Sequence, residues 1–404
     1  MPLYTYRVRN QAGKILTGES KFSCEKELAL ILETKGLTPI EIKVKNAVTD
    51  ISQIKLFQKR VVTKDLAIFC RQFAIILEAG VPISTAMDVM REQTTNPTLK
   101  NAMCDLYEDI QKGIQLSNSM RRQGNVFPEM LVNMVEAGEL SGQLDRVFAR
   151  MAEHFEKEFK LNHKIKSALT YPIIVSCVAV GVIFIMMAKV VPSFATILQG
   201  FGTEIPSFTR ILLSVSNFFK NFWWLMIGGI ILLVVTMKSY SRSKDGKRFF
   251  GGLAIRMPVM KDVTKNIMTA RLTRTLGTLM ASGVLLIQGM EVTQKILGNA
   301  IIAEKIEDVI SEVKKGKGLT PPLMAMKYFP PMVLSMIKIG EESGSLDFAL
   351  EKSADFYDQE VEASLQKLAA LIEPIVIIAM ALVVAFIILS ILYPMMSIYQ
   401  TMSV

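Results

Sequence analysis

Gly138-Glu139-Leu140-Ser141-Gly142-Gln143-Leu144-Asp145 occurs a second time, as Gly340-Glu341-Glu342-Ser343-Gly344-Ser345-Leu346-Asp347, at a constant offset of 202 residues. Phe127-Pro128 precedes the first copy and Phe329-Pro330 the second, at the same offset. After each copy comes a charged helical segment, then an apolar stretch opened by a proline, Tyr171-Pro172 and Glu373-Pro374. A fixed long-range period marks a duplicated structural unit. Upstream, Gly80-Val81 and Gly283-Val284 are 203 residues apart, so one residue has been inserted or lost before the Phe-Pro pair.

Half of the 404 residues are hydrophobic, and the mean hydropathy is +0.35. A soluble chain rarely averages above zero, so membrane spans are expected. The net charge of +9 then reads most simply as positive flanks beside those spans. The four cysteines are scattered and form no CxxC pair, which indicates neither a zinc site nor a redox couple. The start of the chain lacks the apolar run of a secretory signal.

Residues 1–45 read as a small αβ appendage without chemistry of its own. Tyr4, Tyr6 and Val8 alternate with polar neighbours as in a half-buried strand, Asn10 to Gly13 is a turn signal, and Ile15 to Glu19 returns as a second strand. Ser23 is a cap for a helix over Cys24 to Lys35, and Pro39 to Val44 is a third strand. Residues 46–62 form a basic linker, for which an amphipathic membrane-surface segment is the alternative.

Residues 63–170 hold several short amphipathic segments broken at Gly80-Val81-Pro82, Asn96-Pro97 and Gly113, the pattern of an antiparallel helical bundle, with Ser84 as a cap. Residues 171–191 are the first expected span, 192–220 an extracytoplasmic loop, and 221–237 a second span headed by Trp223 and Trp224. Residues 238–370 form the second bundle, 371–392 the third span and 393–404 an outer tail. Lys164 and Lys166 precede the first span; Lys238, Arg242, Lys244, Lys247 and Arg248 follow the second. The positive-inside rule therefore puts the N-terminus and both bundles in the cytoplasm. The fold class is an all-α integral membrane protein with two duplicated cytoplasmic bundles, three transmembrane helices and a small αβ appendage.

Within the repeated motif, Gly138 and Gly340 suit the left-handed position that closes a helix. Ser141 and Ser343 suit a cap on the next helix, with Asp145 and Asp347 facing its positive end. Gly142 and Gly344 belong to the same repeated motif, which is a candidate partner interface. Glu139 and Glu341 are left without a local job: either they bond to partners inside the bundle, or they shape a surface that touches another protein. Glu373 lies at the cytoplasmic edge of the third span, where an acid is a functional candidate. Lys189 reads as a snorkelling side chain.

Catalytic chemistry is not indicated. His154 and His163 are the only histidines, nine apart, and read as surface positions. There is no phosphate-binding GxxxxGK[ST], no HExxH, and no nucleophile–base set. No catalytic residue, cofactor or metal ligand is expected. Lysine and arginine are not interleaved with an aromatic platform, which argues against nucleic acid.

These features resemble the type II secretion system protein F family, whose type IV pilus members are inner-membrane platform proteins. The resemblance rests on the run Leu66 to Pro82 (LAIFCRQFAIILEAGVP), the paired G-E-x-S-G-x-L-D motifs, Tyr171-Pro172 and Ile372-Glu373-Pro374. The stretch Gly200 to Pro206 looks like the pilus branch. The resemblance implies three spans in the bacterial inner membrane, no catalytic activity and a homo-oligomer. It further implies that the soluble domains engage a hexameric cytoplasmic ATPase and other inner-membrane assembly proteins, and help add or remove pilin or pseudopilin subunits. The alternative is an oligomeric transporter or channel, which calls for polar groups and broken helices at the membrane midplane.

Overall fold

The computed structural model describes residues 3–9, 15–21, 25–44, 60–200, 207–241, 243–258 and 260–402. The expected turn at Asn10 to Gly13, the Ser23 cap, the linker as far as residue 59 and the pilus-like stretch 201–206 lie outside them.

The alternation at the N-terminus produces strands β1 (Leu3–Arg9), β2 (Ile15–Lys21) and β3 (Thr38–Val44), with helix α1 (Glu25–Thr34) between the last two. The sheet is antiparallel in the order β2-β1-β3; Tyr4 pairs with Ser20 on one side and Val44 on the other. Tyr4 and Val8 point one way from β1 and bury against Leu28 and Leu32 of α1. This is the expected αβ appendage.

The rest of the described chain is helical, and the helices come in two matching series. Helices α2 (Thr63–Glu78), α3 (Ile83–Gln93), α4 (Pro97–Gln111), α5 (Leu116–Arg122), α6 (Glu129–Ser141) and α7 (Leu144–Ile185) form the first. A five-residue π-helical turn, Met186–Val190, joins α7 to α8 (Val191–Gly200). After α9 (Ser207–Tyr240) and α10 (Lys244–Arg256), the series recurs as α11 (Met260–Ala281), α12 (Leu286–Ile296), α13 (Ala300–Lys314), α14 (Thr320–Ala325), α15 (Pro331–Ser343) and α16 (Leu346–Met402). Glycines close equivalent helices in the left-handed region: Gly80 and Gly283 at φ 77° and 82°, Gly113 and Gly316 at 78° and 86°. A Cβ is costly there.

Two compact units emerge: Met1–Lys160 with Thr275–Val292, and Leu161–Arg274 with Thr293–Val404. The first is built on Phe69 and Phe73 of α2 and Phe148 of α7, all fully buried; Phe73 and Phe148 meet edge to face at 4.6 Å between ring centroids. Met87, Met90, Met103, Met120 and Met134 are buried in the same unit. In the second, Ile302, Ile306, Leu323, Val333, Ile337, Leu350 and Val361 are buried at helical spacing. A separate cluster joins Met187, Val191, Leu212 and Ile387.

Four expectations change. The charged helix and the apolar span after each motif are one continuous helix, because Pro172 and Pro374 sit inside α7 and α16 without ending them. A proline removes one backbone hydrogen bond and strains one turn, and the long helix carries on past it. Helix α16 has 57 residues, about 85 Å at 1.5 Å per residue, and takes in most of the expected outer tail. The loop at 192–220 is largely helical, in α8 and the start of α9, where Leu212 is buried against Met187 and Val191. Ser84 caps nothing: α3 starts after Pro82, with no side-chain cap.

Two helices are long and apolar enough to cross a bilayer, Leu144–Phe194 and Leu346–Ser390. In α9, which kinks at Phe222, the apolar segment Ile231–Tyr240 is shorter than a span among the described residues.

Candidate functional site

Helix α5 has no capping side chain of its own, since Gln115 at its entrance makes no such bond. Its free N–H groups are met by a residue from another helix. Glu139, in the last turn of α6, accepts from Leu116 N at 2.5 Å, from Ser117 N at 3.1 Å and from Ser117 Oγ. The second copy repeats this: Glu341 of α15 accepts from Leu319 N at 2.5 Å, Thr320 N at 3.1 Å and Thr320 Oγ1 at 2.7 Å. A carboxylate at a helix N-terminus gains both charge-assisted hydrogen bonds and the favourable end of the peptide dipoles. The two motif glutamates therefore bond within their own bundles.

The turn behind each glutamate corrects the sequence reading. Helix α6 ends at Ser141, and the left-handed residue is Gly142 (φ 70°); in α15 it is Gly344 (φ 71°). Gln143 N bonds back to Gly138 O at 2.9 Å, and Ser345 N to Gly340 O at 2.9 Å, the longer closing bond of a Schellman turn. Gly138 and Gly340 are instead buried inside their helices, where the following helix crosses closely. A Cβ on Gly138 would lie 2.9 Å from Val147 Cγ2; one on Gly340 would lie 2.7 Å from Ala349 Cβ and 2.9 Å from Leu346 Cα. Ser141 Oγ donates back to Ala137 O, and Ser343 Oγ bonds Ser345 Oγ, so neither caps the next helix. Asp145 and Asp347 stand in the first turns of α7 and α16, as expected.

Two further pairs of equivalent interactions frame the motif, and sequence reasoning missed both. Arg71 holds Glu156 through two parallel bonds of 2.9 and 3.0 Å. Arg274, 203 residues after Arg71, meets Asp358, 202 after Glu156, at 2.5 Å, and also Asp355 at 3.3 Å. The hydrogen bond from Arg71 holds the Glu156 carboxyl below its ordinary range. Asn96 caps α4 through Thr98 N and Leu99 N; Asn299 caps α13 through Ile301 N and Ile302 N. The signal was present in the sequence: the repeat offset, 203 before the one-residue slip and 202 after it, carries each partner onto a chemically similar residue. The one-residue slip falls between Ser117 and Phe127, where α5 and a 3-10 turn of the first copy correspond in sequence to the shorter α14 of the second.

At the other end of these helices, Tyr171 Oη donates to Glu373 Oε1 at 3.2 Å. The two residues are equivalent positions of the duplicated chain. Glu373 thus has a partner at the start of the apolar stretch, beside Pro374. Lys189 is exposed within the π turn. The carbonyl of Met187 in that turn accepts from Ser216 Oγ at 2.5 Å. His163 is exposed, but His154 is buried, against expectation: it lies on the same face of α7 as Val147, Met151 and Phe155, with Nδ1 3.4 Å from Thr278 Oγ1. Around the motif, Leu140 is 80% exposed and Phe348 58%, both large apolar side chains turned to the surface.

The family model for type II secretion system protein F matches this chain twice, over residues 69–192 and 272–394. The model of that family's N-terminal domain matches residues 1–43. The chain is 34% identical to a type IV pilus assembly protein PilC of Thermus thermophilus, over the full length of both. It is 33% identical to a type IV pilus assembly protein PilC of Myxococcus xanthus, over 98% of this chain and 94% of the relative. A type II secretion system protein F of Aeromonas hydrophila is also 33% identical, over 90% of this chain and 95% of the relative.

Proposed function

The chain belongs to the type II secretion system protein F family, and from that premise we propose that it is the inner-membrane platform of a type IV pilus or type II secretion machine, coupling a hexameric cytoplasmic ATPase to the insertion or removal of pilin or pseudopilin subunits. The observation that carries the reading is the duplication itself, matched twice by the family model, with each copy ending on a helix that runs unbroken from soluble bundle into apolar span. A continuous helix transmits force along its axis, so a motor acting on a bundle moves the attached span. The role is mechanical. Glu139 and Glu341, the acids that sequence alone left unassigned, use their oxygens on helix amides and hydroxyls rather than on a substrate.

The proposed topology has three spans, with the N-terminus and both bundles cytoplasmic. Helices α7 and α16 supply two spans and α9 the third, with Lys164 and Lys166 before the first and Lys238, Lys244 and Lys247 after the second. The exposed Leu140 and Phe348 mark the faces beside each motif that are offered to the ATPase or to a second copy in a homo-oligomer. The test is a pull-down from detergent-solubilised cells, with photocrosslinkable residues in place of Leu140 and Phe348, read by mass spectrometry. Recovery of a motor ATPase and pilin-like proteins supports the platform. Recovery of neither, with solute flux in reconstituted vesicles, overturns it in favour of a transporter or channel.

A further inference from the structure

Helix α10 begins after Ser243, whose side chain accepts from Gly246 N, three residues beyond the end of α9. One side of it is held by α13. Asn299 Nδ2 donates to Gly251 O at 3.2 Å, Gly252 leaves room for Ile301, and Arg248 pairs with Glu304 at 2.7 Å. Midway along it, Phe250 lies against the Tyr240 ring. The remaining face is apolar and uncovered: Phe249, Leu253 and Met257, at i, i+4 and i+8, are 60%, 44% and 47% exposed. The helix and the residues just after it carry Lys244, Lys247, Arg256 and Lys261, besides Arg248 on the α13 side, against Asp245 and Asp262.

An apolar row at helical spacing, on a helix whose other positions carry long cationic side chains and that follows directly on an apolar segment, has the chemistry of a helix lying in the interface plane of a bilayer. We propose that α10 is a monotopic anchor that seats Phe249, Leu253 and Met257 at the acyl boundary of the cytoplasmic leaflet while its lysines and arginines take anionic phospholipid headgroups. This rests on the reading that α9 crosses the membrane. Two features select a lipid surface as the occupant. The excess of cationic side chains is complementary to anionic headgroups, and the helix follows the apolar segment Ile231–Tyr240 after only three residues. The anchor fixes the height at which the second series of helices begins.

The test places p-benzoylphenylalanine at position 249 or 253 of the full chain, reconstituted in phosphatidylcholine vesicles with and without phosphatidylglycerol. Position 233 in α9 reports the span, and exposed Leu285 serves as the aqueous control. The expected result is lipid adducts at 249 and 253 comparable to those at 233, and background at 285. The yield at 253 should depend on phosphatidylglycerol and drop roughly fivefold with Lys247→Glu. Adducts at 233 without adducts at 249 or 253 overturn the anchor and leave the span reading intact. Chain-to-chain crosslinks at 253 overturn it in favour of a second copy. No adduct at 233 overturns the span reading and the anchor with it.

Discussion

Glu139 and Leu116 stand 23 residues apart in the chain and 2.5 Å apart in space, carboxylate oxygen to amide nitrogen. The carboxylate supplies from outside the cap that α5 lacks. Glutamine keeps one acceptor but loses the charge. Charge-assisted bonds contribute about 1.5–3 kcal/mol each, so Glu139→Gln should release the first turn of α5. Hydrogen exchange at the Leu116 and Ser117 amides should accelerate roughly tenfold or more, following about 1.4 kcal/mol per decade. Glu341→Gln should do the same at Leu319 and Thr320. Unchanged exchange with weakened partner binding would return these glutamates to the role of a contact surface.

Gly138 and Gly340 occupy equivalent sites but meet different neighbours. Alanine in a helix gains up to about 1 kcal/mol over glycine. At Gly138 the added carbon meets the tip of Val147, which shifts at modest cost; at Gly340 it meets a Cβ and a Cα. Gly340→Ala should therefore lower stability by about 1–3 kcal/mol, and Gly138→Ala by less. Thermal melting of the two variants in detergent gives the order directly.

Arg71 and Glu156 predict a pH dependence. The Glu156 carboxyl is depressed by the hydrogen bond from Arg71, so the folded pKa lies below the unfolded one. The stabilisation is complete above the ordinary carboxylate pKa of 4.5 and is lost as pH falls through the depressed folded value. Both side chains are more than a third exposed, which limits the pair to about 1 kcal/mol or less. Melting curves of wild type and Glu156→Gln should differ by a constant amount from pH 7 to 5 and converge as the medium becomes more acidic.

Tyr171 and Glu373 place the starts of the two long apolar stretches beside each other. Cysteines at both positions, in a Cys177→Ser background, should be joined within one chain by a short bis-maleimide. Crosslinking only between chains would contradict this pairing of α7 with α16.

Much of this was legible in the sequence. Alternation at Tyr4 and Val8 announced β1, and the long period announced two copies before any helix was placed. What stayed hidden was non-local. Helices α5 and α14 are seven and six residues long, too short for apolar periodicity to show, and their cap is written more than twenty residues downstream. Each motif carries two glycines, and only the backbone dihedral tells Gly142, which turns the chain, from Gly138, which lets a helix approach. The prolines at 172 and 374 read as helix starts because local signals carry no information about a helix already under way. His154 sits among charged neighbours, and only its alignment with Met151 and Phe155 on one face of α7 announces burial.

The most direct test of the account is the side of the membrane on which Leu140 and Phe348 lie. Cysteines at these positions, and at Arg210 in α9, are labelled with a membrane-impermeant maleimide in intact cells and in inverted vesicles. With α7 and α9 both spanning, positions 140 and 348 react only from the cytoplasmic face and 210 only from the outer face. If 140 and 348 react from opposite faces, α9 does not cross, the two bundles are not on one side, and a single cytoplasmic motor cannot act on both.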